Sequence, residues 1–179
     1  EAYVELAVRA AREACDALVR AGEIGRYEIV LVDDGSTDKT AELAQRLARG
    51  DARVRVLRNT ENRGLGGALK KGLYAAEGEL VLYSDADLPF DMAEVERACR
   101  LMRTHRADVV CGRRRTRSGE GAKRWIYSVA YNALVRALFA LPVGDVNFSL
   151  KLFRSRALAA IRPESDGSFI DAELMVRAH

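Results

Sequence analysis

Three cysteines, three prolines, two histidines and one tryptophan are all that 179 residues contain of these types. Cys15, Cys99 and Cys111 form no Cys-x-x-Cys pair, and their odd number argues against a disulfide framework. With His105 and His179 as the only imidazoles, a structural zinc site has too few ligands. Any divalent cation would have to be held by oxygen, which points to magnesium or manganese acting on phosphates. No uncharged apolar run approaches the ~18–20 residues of a membrane-spanning helix, and the first residues lack the apolar stretch of a secretory signal. We therefore expect no spanning segment and leave contact with a membrane surface open. Charge of one sign is also in short supply: 29 basic against 26 acidic residues give +3, too little to indicate a nucleic-acid binder. Lysine is scarce among the basic residues, and the arginine that dominates is the better bidentate partner for phosphate.

What is present is an ordinary globular composition, 49% hydrophobic and 31% charged, which suits one domain with a real core. Helix and strand alternate. Val4, Ala7, Val8, Ala11, Cys15, Leu18 and Val19 recur at helical spacing over 2–21. Short apolar runs of buried-strand type follow at 28–32, 54–57, 79–84 and 108–112, separated by helices near 39–49, 64–76 and 91–104. This alternation predicts βαβ units and an α/β fold, a mostly parallel sheet with helices on both faces. Beyond Gly112 the rhythm changes. A basic stretch precedes a helix at 125–141, 145–153 reads as extended, and short helices are expected at 155–161 and 170–178. Because the chain begins and ends directly in helix, we expect a single domain over 1–179 whose first strand is missing and whose ends are both trimmed.

In an open parallel sheet, ligands gather outside the carboxyl ends of the strands. Two loops at such ends carry paired acids: Asp33-Asp-Gly-Ser-Thr-Asp38 and Asp85-Ala-Asp87. Taken singly, the first is an ordinary turn with a helix cap and the second a polar strand end. Together they describe a rim of carboxylates that repel one another unless a cation compensates. Mg²⁺ or Mn²⁺ bridging a diphosphate is the economical reading. The glycine-rich turn Asn62-Arg-Gly-Leu-Gly-Gly67 either lets a nucleotide approach the backbone at Gly64 and Gly66 or simply starts a helix.

Val32-Asp-Asp-Gly-Ser-Thr-Asp38, Asn62-Arg-Gly-Leu-Gly-Gly-Ala68 and Ser84-Asp-Ala-Asp-Leu88, in this order, resemble family 2 glycosyltransferases of the GT-A fold. Val110-Cys-Gly-Arg113, Asp145-Val-Asn-Phe-Ser-Leu-Lys-Leu-Phe153 and Ser168-Phe-Ile-Asp-Ala-Glu173 look most like the polyprenyl-phosphate (dolichyl-phosphate) mannosyl- and glucosyltransferase branch. The resemblance implies a nucleotide-diphospho-sugar donor, UDP- or GDP-hexose, with a divalent cation on its diphosphate. By that resemblance Asp34 or its neighbour Asp33 would recognise the nucleobase. Asp85 would lie near the ribose or the metal, and Asp87 would be the main metal ligand. Arg113 and Arg124 would bind the phosphate of a polyprenyl phosphate acceptor, with Arg114, Arg115, Arg117 and Lys123 in the same basic stretch; a solvated loop is the alternative. Asp145 would be the catalytic base, or only a turn residue after Pro142-Val-Gly144. Lys151 would pair with Asp145 or with a phosphate.

Two departures from the family pattern stand out. The Pro-x-x-Asn-Glu segment that ends the family's first strand is missing, and Pro89 stands where the mannosyl branch often carries a metal-binding Gln. Tyr127, Tyr131, Leu134, Leu138 and Phe139 lie at helical spacing after the arginines. They read as a stripe facing the core, with a helix lying on the bilayer as the alternative. The expectation is an inverting hexosyl transfer to a polyprenyl phosphate, by an enzyme peripheral at the cytoplasmic face of the membrane. A soluble or saccharide acceptor and a non-catalytic nucleotide-sugar-binding domain are the competing readings. Nucleic acid is a poor partner, since no aromatics interleave with the basic residues.

Overall fold

The computed structural model describes residues 2–113 and 122–179, without the side chains of Ala2, 122–126 and 128. The elements run α1 (Ala2–Arg20), β1 (Ile29–Asp33), α2 (Thr40–Gly50), β2 (Val54–Arg58), α3 (Gly64–Ala75), β3 (Leu80–Tyr83) and α4 (Glu94–Thr104). They continue with β4 (Val109–Cys111), α5 (Ala122–Phe139), β5 (Lys151–Arg154), α6 (Ser155–Ala160) and α7 (Ile170–Arg177). The expected α/β alternation is present as far as β4.

β1 and β2 pair in parallel, Ile29 opposite Val54 and Asp33 opposite Arg58. The other strands form a three-stranded sheet ordered β3-β5-β4, with β5 antiparallel to both neighbours. Only 151–154 of the segment expected to be extended is a strand; 145–150 loops back before it. β5 is the antiparallel element of the α/β fold. Its direction also has a functional consequence, because it brings the start of β5 to the sheet edge where β3 and β4 end.

Alternation along these strands divides the core in two. Leu80, Leu82, Val110, Leu150 and Leu152 pack on one side with Leu18 of α1 and with Val95, Ala98, Cys99 and Met102 of α4. Those α4 residues fall at i, i+3, i+4 and i+7, the stripe by which a helix covers a sheet. Val81, Tyr83, Val109, Cys111 and Phe153 face the other way, toward Leu69 and Leu73 of α3, Val135 of α5 and Ile170, Ala172 and Leu174 of α7. β5 is therefore buried on both faces, and Phe153 is fully enclosed.

The stripe on α5 splits. Val135 and the half-buried Tyr131 meet the core, whereas Tyr127, Leu134 and Leu138 are 74%, 57% and 67% exposed. A core-facing role for Tyr127, Leu134, Leu138 and Phe139 is thus corrected, since all four side chains are exposed. Among the described residues no helix is long and apolar enough to cross a membrane.

Candidate active site

At the carboxyl end of β1 the two adjacent acids have separate tasks. Asp33 is buried, and its Oδ1 accepts the Ser36 backbone N–H at 3.1 Å, which closes the turn. Arg58 Nε lies 3.1 Å from its other oxygen, and its carbonyl accepts the Asn59 N–H. Asp33 shapes the loop. Asp34 is the half-buried carboxylate at the rim: Asn59 Nδ2 donates to its Oδ1 at 2.7 Å and the Arg63 N–H at 3.0 Å. Partial burial works against ionisation, but these bonds together hold the carboxyl below its ordinary value. Lys71 donates to Asn59 Oδ1 at 2.9 Å and to the Arg58 carbonyl at 2.6 Å. An ammonium only donates, so Lys71 turns the Asn59 amide nitrogen toward Asp34. Asn59 and Lys71 escaped the sequence reading, although both flank motifs it used. Gly35, at φ +73°, lies so close to Glu61 and Asn62 that a Cβ would meet their backbone at 2.8 Å.

The glycine turn packs against the segment before α7. A Cβ on Gly66 would meet the Ser165 carbonyl at 2.3 Å, and one on Gly64 the Asp166 carbonyl at 2.9 Å. The Gly66 N–H donates to Asp166 O at 2.7 Å, and Lys70 Nζ to Asp166 Oδ1 at 2.7 Å. Gly64 opens α3, and the backbone that approaches Gly64 and Gly66 is the chain's own. Arg58, Asn59, Arg63, Lys70, Lys71 and Tyr74 line a basic groove of about 790 Å³ beside this turn.

Glu173 anchors that docked segment. Its two oxygens accept the N–H groups of Glu164 and Ser165, each at 2.8 Å, and Arg177 Nε donates to it at 2.7 Å. Burial opposes its charge, yet the bonds from Ser165, Glu164 and Arg177 lower its pKa to about 2. A depressed carboxyl stabilises the fold above its ordinary value near 4.5 and loses that contribution as pH falls toward about 2. Glu173→Gln is accordingly expected to melt below the parent by a constant margin above about pH 5. The margin should close on acidification when melting is followed against pH, and a margin that does not change with pH would refute the assignment.

The second cluster follows from strand register. Tyr83, Lys151 and Cys111 are direct neighbours across β3, β5 and β4. Asp85 and Asp87, just past Tyr83, and Arg113, just past Cys111, therefore follow adjacent strand ends. The Tyr83 hydroxyl donates to Asp85 Oδ1 at 2.8 Å. Burial, reinforced by the charges of Asp171, Asp85 and Asp87, pushes that hydroxyl far above its ordinary pKa, so it stays a donor. Asp87 is exposed beyond it. Asp145 is buried in the loop before β5, which Asn132 of α5 fixes by accepting the Val146 N–H at 2.8 Å. A Cβ on Gly144 would lie 2.6 Å from Arg113 Cδ, so the exposed Arg113 side chain crosses the residue preceding Asp145.

Lys151 is corrected. It is completely buried, donating to Asp171 Oδ1 at 2.6 Å and to the Phe148 carbonyl at 2.7 Å, and its partner is neither Asp145 nor a phosphate at the surface. Burial pushes Asp171 above the ordinary carboxylate value, an effect that Lys151 partly offsets. Asp171 lies in a quoted motif, but nothing in its spacing announces a buried partner twenty residues away. The side chains of Arg124 and Lys123, and Arg114, Arg115 and Arg117 entirely, lie outside the described residues.

Among the described residues no three acids, histidines or cysteines form a ready-made metal cage. Asp85 and Asp87 nevertheless fit Mg²⁺ or Mn²⁺: they are hard oxygen donors at an open edge, and Asp85 has one oxygen beyond its bond to Tyr83. Magnesium is usually held by one or two carboxylates with substrate phosphates and water completing its shell.

Residues 2–162 match the family described as Glycosyl transferase family 2. The glycosyltransferase AglD of Haloferax volcanii is 34% identical over 157 residues, 85% of this chain and 25% of AglD. Human dolichyl-phosphate beta-glucosyltransferase is 40% identical over 73 residues, 40% of this chain and 22% of that protein. The chain thus spans about a quarter of the length of these relatives. The mannosyltransferase PcManGT of Pyrobaculum calidifontis, solved with GDP-Man and Mn²⁺, superposes with a TM-score of 0.51 at 22% identity, covering 78% of this chain and 38% of that one. With its paired acids at the strand ends and the fold of GT-A transferases, the chain belongs to glycosyl transferase family 2.

Proposed function

We propose that this domain transfers a hexosyl group from a nucleoside diphosphate sugar to a polyprenyl phosphate, with inversion at the anomeric carbon. The observation that supports the reading is strand register: Tyr83, Lys151 and Cys111 are direct neighbours, Asp85, Asp87 and Arg113 follow the ends of β3 and β4, and Arg113 lies against Gly144, which precedes Asp145. Asp34, ionised and fixed by Asn59, is a hydrogen-bond acceptor suited to a nucleobase. Asp85 and Asp87 would hold Mg²⁺ or Mn²⁺ at the donor's diphosphate. When bound, the cation supplies positive charge against the departing nucleoside diphosphate.

Arg113 binds the acceptor phosphate through a bidentate fork and aims one oxygen at the sugar. That oxygen forms a bond to the anomeric carbon from the face opposite the diphosphate, whose bond to the same carbon breaks and carries off the electron pair. The attacking oxygen is already anionic, so Asp145 has no proton to remove and acts by position and charge. The exposed Tyr127, Leu134, Leu138 and Phe139 of α5 favour a lipid over a soluble acceptor, since an apolar helix face can rest at a bilayer where the polyprenyl chain resides. Such a helix suits an enzyme peripheral at the cytoplasmic face. The dolichyl phosphate in the human relative's name agrees with this acceptor class.

The test is transfer of labelled hexose from UDP- or GDP-sugars to polyprenyl phosphate in detergent with Mn²⁺. Arg113→Ala is expected to raise KM for the acceptor by about 10–100-fold, the worth of ~1.5–3 kcal/mol in a charged hydrogen bond, with donor KM unchanged. A parent chain that moves sugar to no polyprenyl phosphate would overturn the proposal. Equal loss toward donor and acceptor would remove Arg113 from the acceptor site.

A further inference from the structure

We propose that Tyr83 is a positioning residue for the Asp85 carboxylate, and that the buried Lys151–Asp171 pair fixes Tyr83 in turn. The inference rests on the metal-assisted reading above and deepens it.

Four contacts form one chain from the core to the rim. Asp171, on α7, accepts from Lys151 Nζ at 2.6 Å, and the Phe148 carbonyl accepts from the same ammonium at 2.7 Å. Lys151 is thereby held 5.3 Å from the centroid of the Tyr83 ring, its cross-strand neighbour. The Tyr83 hydroxyl then reaches past the end of β3 to Asp85 Oδ1 at 2.8 Å.

Each link limits the next. Lys151 is fully buried and Tyr83 nearly so, and both are locked by strand register, so the hydroxyl has little room to swing. Asp85 sits in a loop after the strand, where nothing in the β-ladder fixes its side chain. A donor on Oδ1 selects one carboxylate orientation and presents Oδ2 outward. Partners behind metal ligands act in this way, and removing one typically weakens metal binding by about 10–100-fold. The packing needs of the core do not explain the hydroxyl, because phenylalanine would fill the same space.

The variant is Tyr83→Phe, which keeps the ring and its contact with Lys151. Free Mn²⁺ is followed by its paramagnetic resonance signal as the chain is titrated in the presence of GDP or UDP. We expect the Mn²⁺ dissociation constant to rise by about 10-fold or more. Melting should move by only about 2–4 °C, the loss of one hydrogen bond in a chain of this size. Asp85→Asn should weaken Mn²⁺ similarly, and adding Tyr83→Phe to it should weaken binding no further. Parent-like Mn²⁺ binding by Tyr83→Phe, or losses that simply add in the double variant, would overturn the positioning role alone. A parent that takes up no Mn²⁺ with either nucleotide would overturn the metal-assisted reading and this inference with it.

Discussion

Asp87→Asn is expected to cut hexosyl transfer by roughly 10²–10³-fold, comparable to the loss of one group that stabilises developing charge in a transition state. The substitution keeps shape and removes charge where the diphosphate would depart. Asp87 is exposed, so the fold should scarcely register the change, within about 0.5 kcal/mol. Initial rates at saturating Mn²⁺, set beside the melting temperature, check both halves. A variant that retains more than about a tenth of parental turnover would show that the carboxylate is no ligand. A variant that melts early would show that Asp87 supports the fold. Turnover that persists in excess chelator would remove the cation altogether.

The largest effect on stability should come from Lys151→Met. Removing the ammonium strands Asp171 in the core beside the Phe148 carbonyl, and breaking one side of a buried pair costs about 3–5 kcal/mol. For a chain of this length that lowers the melting temperature by about 6–20 °C. Burial already pushes the Asp171 carboxyl upward, so without Lys151 it should take up a proton at higher pH still. Lys151→Met combined with Asp171→Leu should recover much of the loss, since an apolar pair of similar volume often replaces a buried ion pair without cost. If the double variant melts as low as the single one, packing rather than stranded charge is responsible.

Much of this was legible in the residues. Val95, Ala98, Cys99 and Met102 announce a helix covering a sheet, and Glu28 to Val32 announces a strand, because side-chain period is a local property. The acids after β1 and β3 were visible because both follow apolar runs. What failed was long-range. An unbroken stretch from Asp145 to Phe153 looks extended, yet whether it pairs parallel or antiparallel depends on where β3 and β4 lie. Gly64 and Gly66 reveal that some backbone comes close, but not that it belongs to Ser165 and Asp166. Lysine is read as a surface residue by default. Only the register Tyr83–Lys151–Cys111 shows why Lys151 is enclosed and needs Asp171.

The stretch from Glu164 to Glu173 has a consequence for how substitutions propagate. One end clasps the loop that carries Asp34's neighbours, and the other neutralises the lysine beside Tyr83. It acts as a tie bar between the loop that holds Asp34 and the end of β3, which lie on separate sheets. A change in α7 should therefore be felt at both.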